Sequence, residues 1–160
     1  MIKNPKFIAW LRFTIISLLT LFLCLQNSND SSHLTTEVCG IVQSALYAVN
    51  IQTEYTPLFY LLIRKSGHFL VFAILSANCY RAFSVSTKYH ESTKKWSIVI
   101  SIIIAILTEY MQLFLSGREA KVYDVIIDAL GIIIGVFITS KLNKQQAKSI
   151  FNHSRKIKTA

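Results

Sequence analysis

Four mostly apolar stretches, each near the length of a bilayer-crossing helix, leave this chain little else to fold with. They cover residues 7–25, 64–83, 96–115 and 122–142, where a spanning helix requires roughly 20 predominantly apolar residues. Arg12 interrupts the first, Glu109 lies in the third, and Asp124 and Asp128 lie in the fourth. Trp10, Tyr80, Trp96 and Tyr123 fall near their ends, at the depth where aromatic side chains anchor to headgroups. The expected fold is all-α: a polytopic transmembrane helical bundle of about four spanning helices, forming a single membrane domain over residues 1–160.

The placement of charge selects a topology. The chain carries 17 Lys and Arg against 8 Asp and Glu, a formal net charge of +9, yet only 16 % of its residues are charged and 52 % are hydrophobic. Soluble domains carry about 25 % charged residues. A mean hydropathy of +0.45 excludes disorder and fits poorly with a soluble, basic nucleic-acid binder. With the N-terminus inside, only Arg64, Lys65, Arg118 and Lys121 fall on the outer side. All other basic residues, including those of the tail at 143–160, fall inside. Among the acids Glu91 alone is inside. The positive-inside rule therefore points to a multi-pass protein of a bacterial-type cell membrane with both termini cytoplasmic.

Two further readings concern processing and redox chemistry. Lys3 and Lys6 resemble the basic start of a signal peptide, but no small-x-small cleavage site follows. Leu23 is too large to precede a lipoprotein-type cleavage at Cys24, so the first stretch reads as an uncleaved anchor. Cys24, Cys39 and Cys79 form an odd set without a CxxC pair, which supports neither a disulfide framework nor a zinc site. They read as small buried hydrophobes. The sequence calls for no cofactor and no metal.

Residues 26–63 form an outer segment. Gln26 to Ser32 read as a polar loop. Val38, Ile41, Val42, Ala45, Leu46 and Val49 then recur at helical spacing, which predicts an amphipathic helix lying on the outer surface or folded into the bundle. Pro57 to Ile63 read as the outer start of a longer, tilted second span.

Ionisable groups inside spans cost about 2.5–3.5 kcal/mol each on the insertion scale, so each calls for a partner or a purpose. Arg64 and His68 are four residues apart on one face of the second span, beside Lys65. Glu109 and Gln112 share a face of the third, and Arg118 sits in the turn that follows. Asp124, Asp128, Gly131 and Gly135 form one stripe of the fourth. Counted inward at 1.5 Å per residue, His68, Glu109 and Asp128 share a level roughly 5–10 Å below the outer boundary. These residues are expected to form one polar cluster that opens outward. The competing structural reading is an ion network holding the bundle together, with Asp124 as a helix cap and Gly131 and Gly135 as a small-residue packing face.

The ordered set Arg64-Lys65-Ser66-Gly67-His68-Phe69, Glu109-Tyr110-Met111-Gln112, Gly117-Arg118, Asp124, Asp128, Gly131 and Gly135 resembles the VanZ-like family of small membrane proteins, named for a teicoplanin-resistance determinant. The resemblance covers residues 64–135. Ser116 stands where that family often has Pro, and Asp128 where it often has Asn. The resemblance implies an integral membrane protein linked, in some members, to reduced susceptibility to glycopeptide or lipoglycopeptide antibiotics. The expected partners are the lipid bilayer and either lipid-linked cell-wall intermediates or a glycopeptide antibiotic, with no nucleic acid; the oligomeric state is left open. The outward polar cluster is expected to recognise a headgroup, Arg64, Lys65 and Arg118 contacting anionic groups while His68, Glu109, Asp124 and Asp128 set orientation and local charge.

Two alternatives belong to other functional classes. Ser66-Gly67-His68, together with Arg118, Asp124 and Asp128, is similar in spacing to the second and third motifs of the type 2 phosphatidic acid phosphatases. However, Asp124 stands in place of the nucleophilic His, and the first motif is missing. Such an enzyme would use an Asp nucleophile, or a metal held by His68, Glu109, Asp124 and Asp128. The second alternative is a non-catalytic bundle serving a larger membrane complex through the Gly131/Gly135 face.

Overall fold

A computed structural model of the chain describes residues 4–87, 89–117 and 122–158. Lys3, Lys88, Arg118 and Lys121 lie outside the described residues. Five helices follow one another: α1 (Pro5–Cys24), α2 (Ser28–Ala48), α3 (Pro57–Ser84), α4 (His90–Gln112) and α5 (Val122–Lys158). The described residues contain no strand. Four segments are long and apolar enough to cross a bilayer: α1, α3, α4 from Glu91, and α5 as far as Gln146.

Local chemistry sets the helix boundaries, and several differ from the apolar runs. α3 begins at Pro57, so residues 57–63 are the start of the longer second span as read from the sequence; the Thr56 hydroxyl accepts the Phe59 N–H at 3.1 Å and Pro57 occupies the first helical position. At 28 residues it is about 42 Å long, more than the hydrocarbon thickness. α4 ends at Gln112, short of 115, and the chain turns through Gly117 at φ 72°, a left-handed conformation that glycine adopts without strain. α5 runs on past 142 into the basic tail.

Of the polar stretch 26–32 only Gln26 and Asn27 link two helices; from Ser28 on it is the first turn of α2, which corrects the sequence reading. Asn27 caps α2: its Oδ1 accepts the Asp30 N–H at 2.9 Å and its Nδ2 donates to Asp30 Oδ2 at 2.8 Å. A cap followed three residues later by an acid is a helix start even in a wholly polar segment. At the other end, Ile51 N–H bonds the Leu46 carbonyl at 2.9 Å and Asn50 N–H that of Tyr47 at 3.0 Å. Asn50 there takes φ 61°, the left-handed stop of a Schellman motif.

α3 is the hub of the bundle, packing on all four other helices and most extensively on α5. α3 and α5 run parallel. Antiparallel α1 meets the far end of α3, where Trp10 Nε1 donates to Ser86 Oγ at 2.9 Å and its ring packs edge-on against Phe83 at 5.3 Å. At that same end Asn143 of α5 donates to Ser84 Oγ at 3.4 Å. The apolar core gathers Cys24, Phe72, Leu75, Ala105 and Ile132, with Phe13 and Ile16 of α1 packed against it.

Burial is inverted relative to a soluble protein. Ser76, Thr93, Ser97, Ser101, Thr108, Thr139 and Ser140 are buried, while Leu18, Phe22, Ile126, Phe137 and Ile138 are exposed. The small hydroxyls turn back onto helix carbonyls, as Ser97 Oγ does to Thr93 O at 2.7 Å. Close packing through small residues and an apolar exterior are what a bilayer selects. The chain is a membrane protein.

Candidate functional site

The polar groups of α3 and α5 meet as two consecutive rungs. Lys65 and His68, three residues apart on α3, face Asp124 and Asp128, four apart on α5. Lys65 Nζ donates to Asp124 Oδ1 and lies 4.4 Å from the centre of the Tyr123 ring, a cation–π contact. One turn deeper, His68 Nδ1 stands 3.4 Å from Asp128 Oδ1. The two atoms are close enough for an ion pair but misaligned for a hydrogen bond, and both are buried without one. Asp128 is 1 % exposed. Asp124 lies in the first turn of α5, where its carboxylate also suits the positive end of the helix dipole. It is nonetheless a cross-helix partner.

Below the rungs the helices touch backbone to backbone. A Cβ added at Gly131 would overlap the Phe69 carbonyl oxygen, and one at Gly135 would overlap the Ala73 carbonyl oxygen and Ser76 Oγ. Ser76 Oγ in turn donates to the Ile132 carbonyl at 3.0 Å, across the same seam. This close approach fixes the register that brings the rungs opposite one another.

Arg64 is turned elsewhere. Adjacent helical residues diverge by about 100°, so Arg64 leaves the α5 face that Lys65 occupies. It borders a cavity of about 140 Å³ between α1, α2 and α3. His68 and Gly67 also line it, with Cys24 of α1, Thr35 and Val38 of α2, and the apolar side chains of Leu23, Leu34, Ile63 and Val71. No carboxylate among the described residues pairs with Arg64. His68 thus belongs to both features, facing Asp128 on one side and the cavity on the other.

Glu109 and Gln112 are buried at the end of α4, at 5 % and 3 % exposure, and both are partnered. Arg118 lies outside the described residues. The structure therefore brings Lys65 to Asp124 and His68 to Asp128, while Arg64 stands on a different face. Among the described residues no three His, Cys, Asp or Glu gather at metal-holding spacing, so the set His68, Glu109, Asp124 and Asp128 is not assembled there as a metal site. Asp124, at the position of the phosphatase nucleophile, is occupied by Lys65.

Sequence reasoning missed the contribution of α2 to the cavity. Thr35 and Cys39 are buried on the face that α2 turns inward, and Thr35 and Val38 stand on the cavity wall. Of the apolar recurrence read from the sequence Val38 reaches the cavity, but Ile41 and Val49 are exposed, and the pattern stops short of Thr35 and names no partner surface.

The profile of the VanZ/LLP1 family aligns with residues 8–143, from the second turn of α1 almost to the end of the apolar part of α5. No curated protein and no solved structure matches the chain. The profile takes in both cross-helix rungs, the cavity wall and the glycine seam, and the chain belongs to the VanZ/LLP1 family.

Proposed function

We propose that the chain binds an amphipathic molecule carrying an anionic headgroup in the cavity between α1, α2 and α3. The ligand is a lipid-linked cell-wall intermediate or a lipoglycopeptide, and binding reduces susceptibility to teicoplanin-type antibiotics. The observation that carries the reading is Arg64, a guanidinium without a described carboxylate partner at the mouth of a cavity with mostly apolar walls. A guanidinium is the side chain best shaped for a phosphate or carboxylate, and the apolar walls suit an acyl or prenyl chain. His68 supplies a second polar contact, and Asp128 behind it sets the ring orientation. Lys65 and Asp124 hold α3 against α5 and so position Arg64. The positive-inside rule favours a topology with this end of the bundle outside, where such antibiotics and their targets reside.

The test is teicoplanin susceptibility of a glycopeptide-sensitive Gram-positive host expressing the full chain or its variants at matched membrane levels. Arg64→Ala and Asp128→Ala should each return the host to its empty-vector susceptibility, whereas Lys144→Ala should not. Full protection by both Arg64→Ala and Asp128→Ala overturns the reading.

A further inference from the structure

A second polar recess lies at the opposite end of the bundle, where α1, α3 and α5 converge. It measures about 450 Å³, and Arg12 of α1 and Arg81 of α3 both line it. Neither guanidinium pairs with a carboxylate among the described residues. Glu91, the acid nearest this end in sequence, is taken by Lys94 at 3.1 Å. The remaining polar wall is uncharged: Asn78, whose Nδ2 is bonded to the Ile74 carbonyl at 2.8 Å, the Ser84 hydroxyl, which accepts from Asn143 Nδ2 at 3.4 Å, and Gln146 of α5. Two positive charges thus converge on one recess that contains no described negative charge.

Depth identifies the compartment. Trp10 marks the headgroup level on this side, anchored to Ser86 at the end of α3. Arg12 lies two residues further along α1, about 3 Å deeper, and Arg81 one turn inside the end of α3. From backbone positions just beneath that level both exposed side chains can extend to the headgroups, where the anions at hand are lipid phosphates. On the α1 side Ile8 and Ala9 complete the wall, giving an apolar flank for the start of an acyl chain.

We propose that this recess is a binding site for an anionic phospholipid of the leaflet on that side, its phosphate held jointly by Arg12 and Arg81. Guanidinium forks grip phosphate oxygens bidentately, and basic pockets between helices at this depth suit anionic headgroups. The site is separate from the outer cavity and stands whether or not that cavity binds an antibiotic.

The experiment uses the full chain purified in mild detergent with an equimolar mixture of phosphatidylglycerol and phosphatidylcholine, retained lipid being read by native mass spectrometry. The parent should favour phosphatidylglycerol by about tenfold, and Arg12→Gln/Arg81→Gln should reduce that ratio to near unity. Lys95→Gln, which removes one exposed positive charge from the same end of the bundle, should leave it unchanged. Should the Gln pair fail to give monodisperse protein, Arg12→Lys/Arg81→Lys supplies the readout: charge is kept but the forks are lost, and the ratio should fall by about threefold. Excess inorganic phosphate should not displace the lipid. Three results overturn the proposal: a parent without preference, arginine variants that keep it, or displacement by inorganic phosphate, which would make the recess a site for free anions.

Discussion

His68 Nδ1 and Asp128 Oδ1 face each other across the α3–α5 seam at 3.4 Å, both buried, without the alignment a hydrogen bond requires. An apolar group in place of Asp128 would leave the buried imidazole without the carboxylate that now stands at ion-pair distance. Asp128→Asn, which retains an oxygen and adds a donor, should change stability by less than about 1 kcal/mol, whereas Asp128→Leu should cost about 1–3 kcal/mol. Thermal unfolding of both variants in the same detergent checks the order; a Leu variant as stable as the Asn variant contradicts it.

Lys65 and Asp124 are a largely buried pair, 17 % and 11 % exposed at the side chain. Removing one member strands the other, whereas removing both does not. Lys65→Met and Asp124→Leu should each destabilise by about 1–3 kcal/mol, and the double variant by clearly less than their sum. Chemical denaturation in a double-mutant cycle measures the coupling, and additive losses would show the pair to be energetically silent.

The glycines predict opposite signs at two positions. Gly135→Ala drives a methyl into the Ala73 carbonyl and should cost about 1–3 kcal/mol as overpacking. Gly40, inside α2 with nothing within 4 Å of an added Cβ, should instead gain about 0.5–1 kcal/mol as Ala. Melting temperatures that move in the same direction for both would contradict the packing argument.

Cys39 tests whether α2 stays packed. It is fully buried, and that burial pushes its thiol up from the ordinary value. A raised thiol holds less thiolate at a given pH, and thiolate is the reactive form. Iodoacetamide should therefore modify Cys39 at least about tenfold more slowly than a free cysteine near pH 8, with a rate still climbing above pH 9. Peptide-resolved mass spectrometry of the intact protein reads this directly. Rapid labelling at pH 8 would mean that α2 lifts away from the bundle.

Topology is tested by surface labelling. Asn29→Cys in intact cells should react with a membrane-impermeant maleimide, whereas Lys144→Cys should react only after lysis, as the charge asymmetry requires. The reverse pattern would invert the bundle and move the outer cavity to the cytoplasm.

The spans were readable because a 20-residue apolar run in water-exposed sequence has few other fates. The start of α2 was not, because Asn27 and Asp30 sit in a stretch with no apolar signal, and composition hid a cap that the spacing carried. The split between Arg64 and Lys65 was also illegible. Neighbours in sequence leave a helix in different directions, and which direction meets α5 depends on a register that Gly131 and Gly135 set from another part of the chain. The polar residues could be placed at one depth, but not on one face.

The glycine seam also bears on how the outer cavity can take in a bulky guest. Where α5 crosses Phe69 and Ala73 it presents no side chain, so this contact has no rotamers to change and no methyl-width slack. α3 and α5 behave as a keel, able to slide past one another only by first separating. α1 packs on both α3 and α4, whereas α2 packs mainly on α3 and is slung between Asn27 and Asn50, its first turn held to the Ser116 carbonyl by a 3.4 Å bond from Ser28 N–H. In the proposed binding role, room for a ligand larger than the cavity would have to come from displacing α2 rather than from parting α3 and α5.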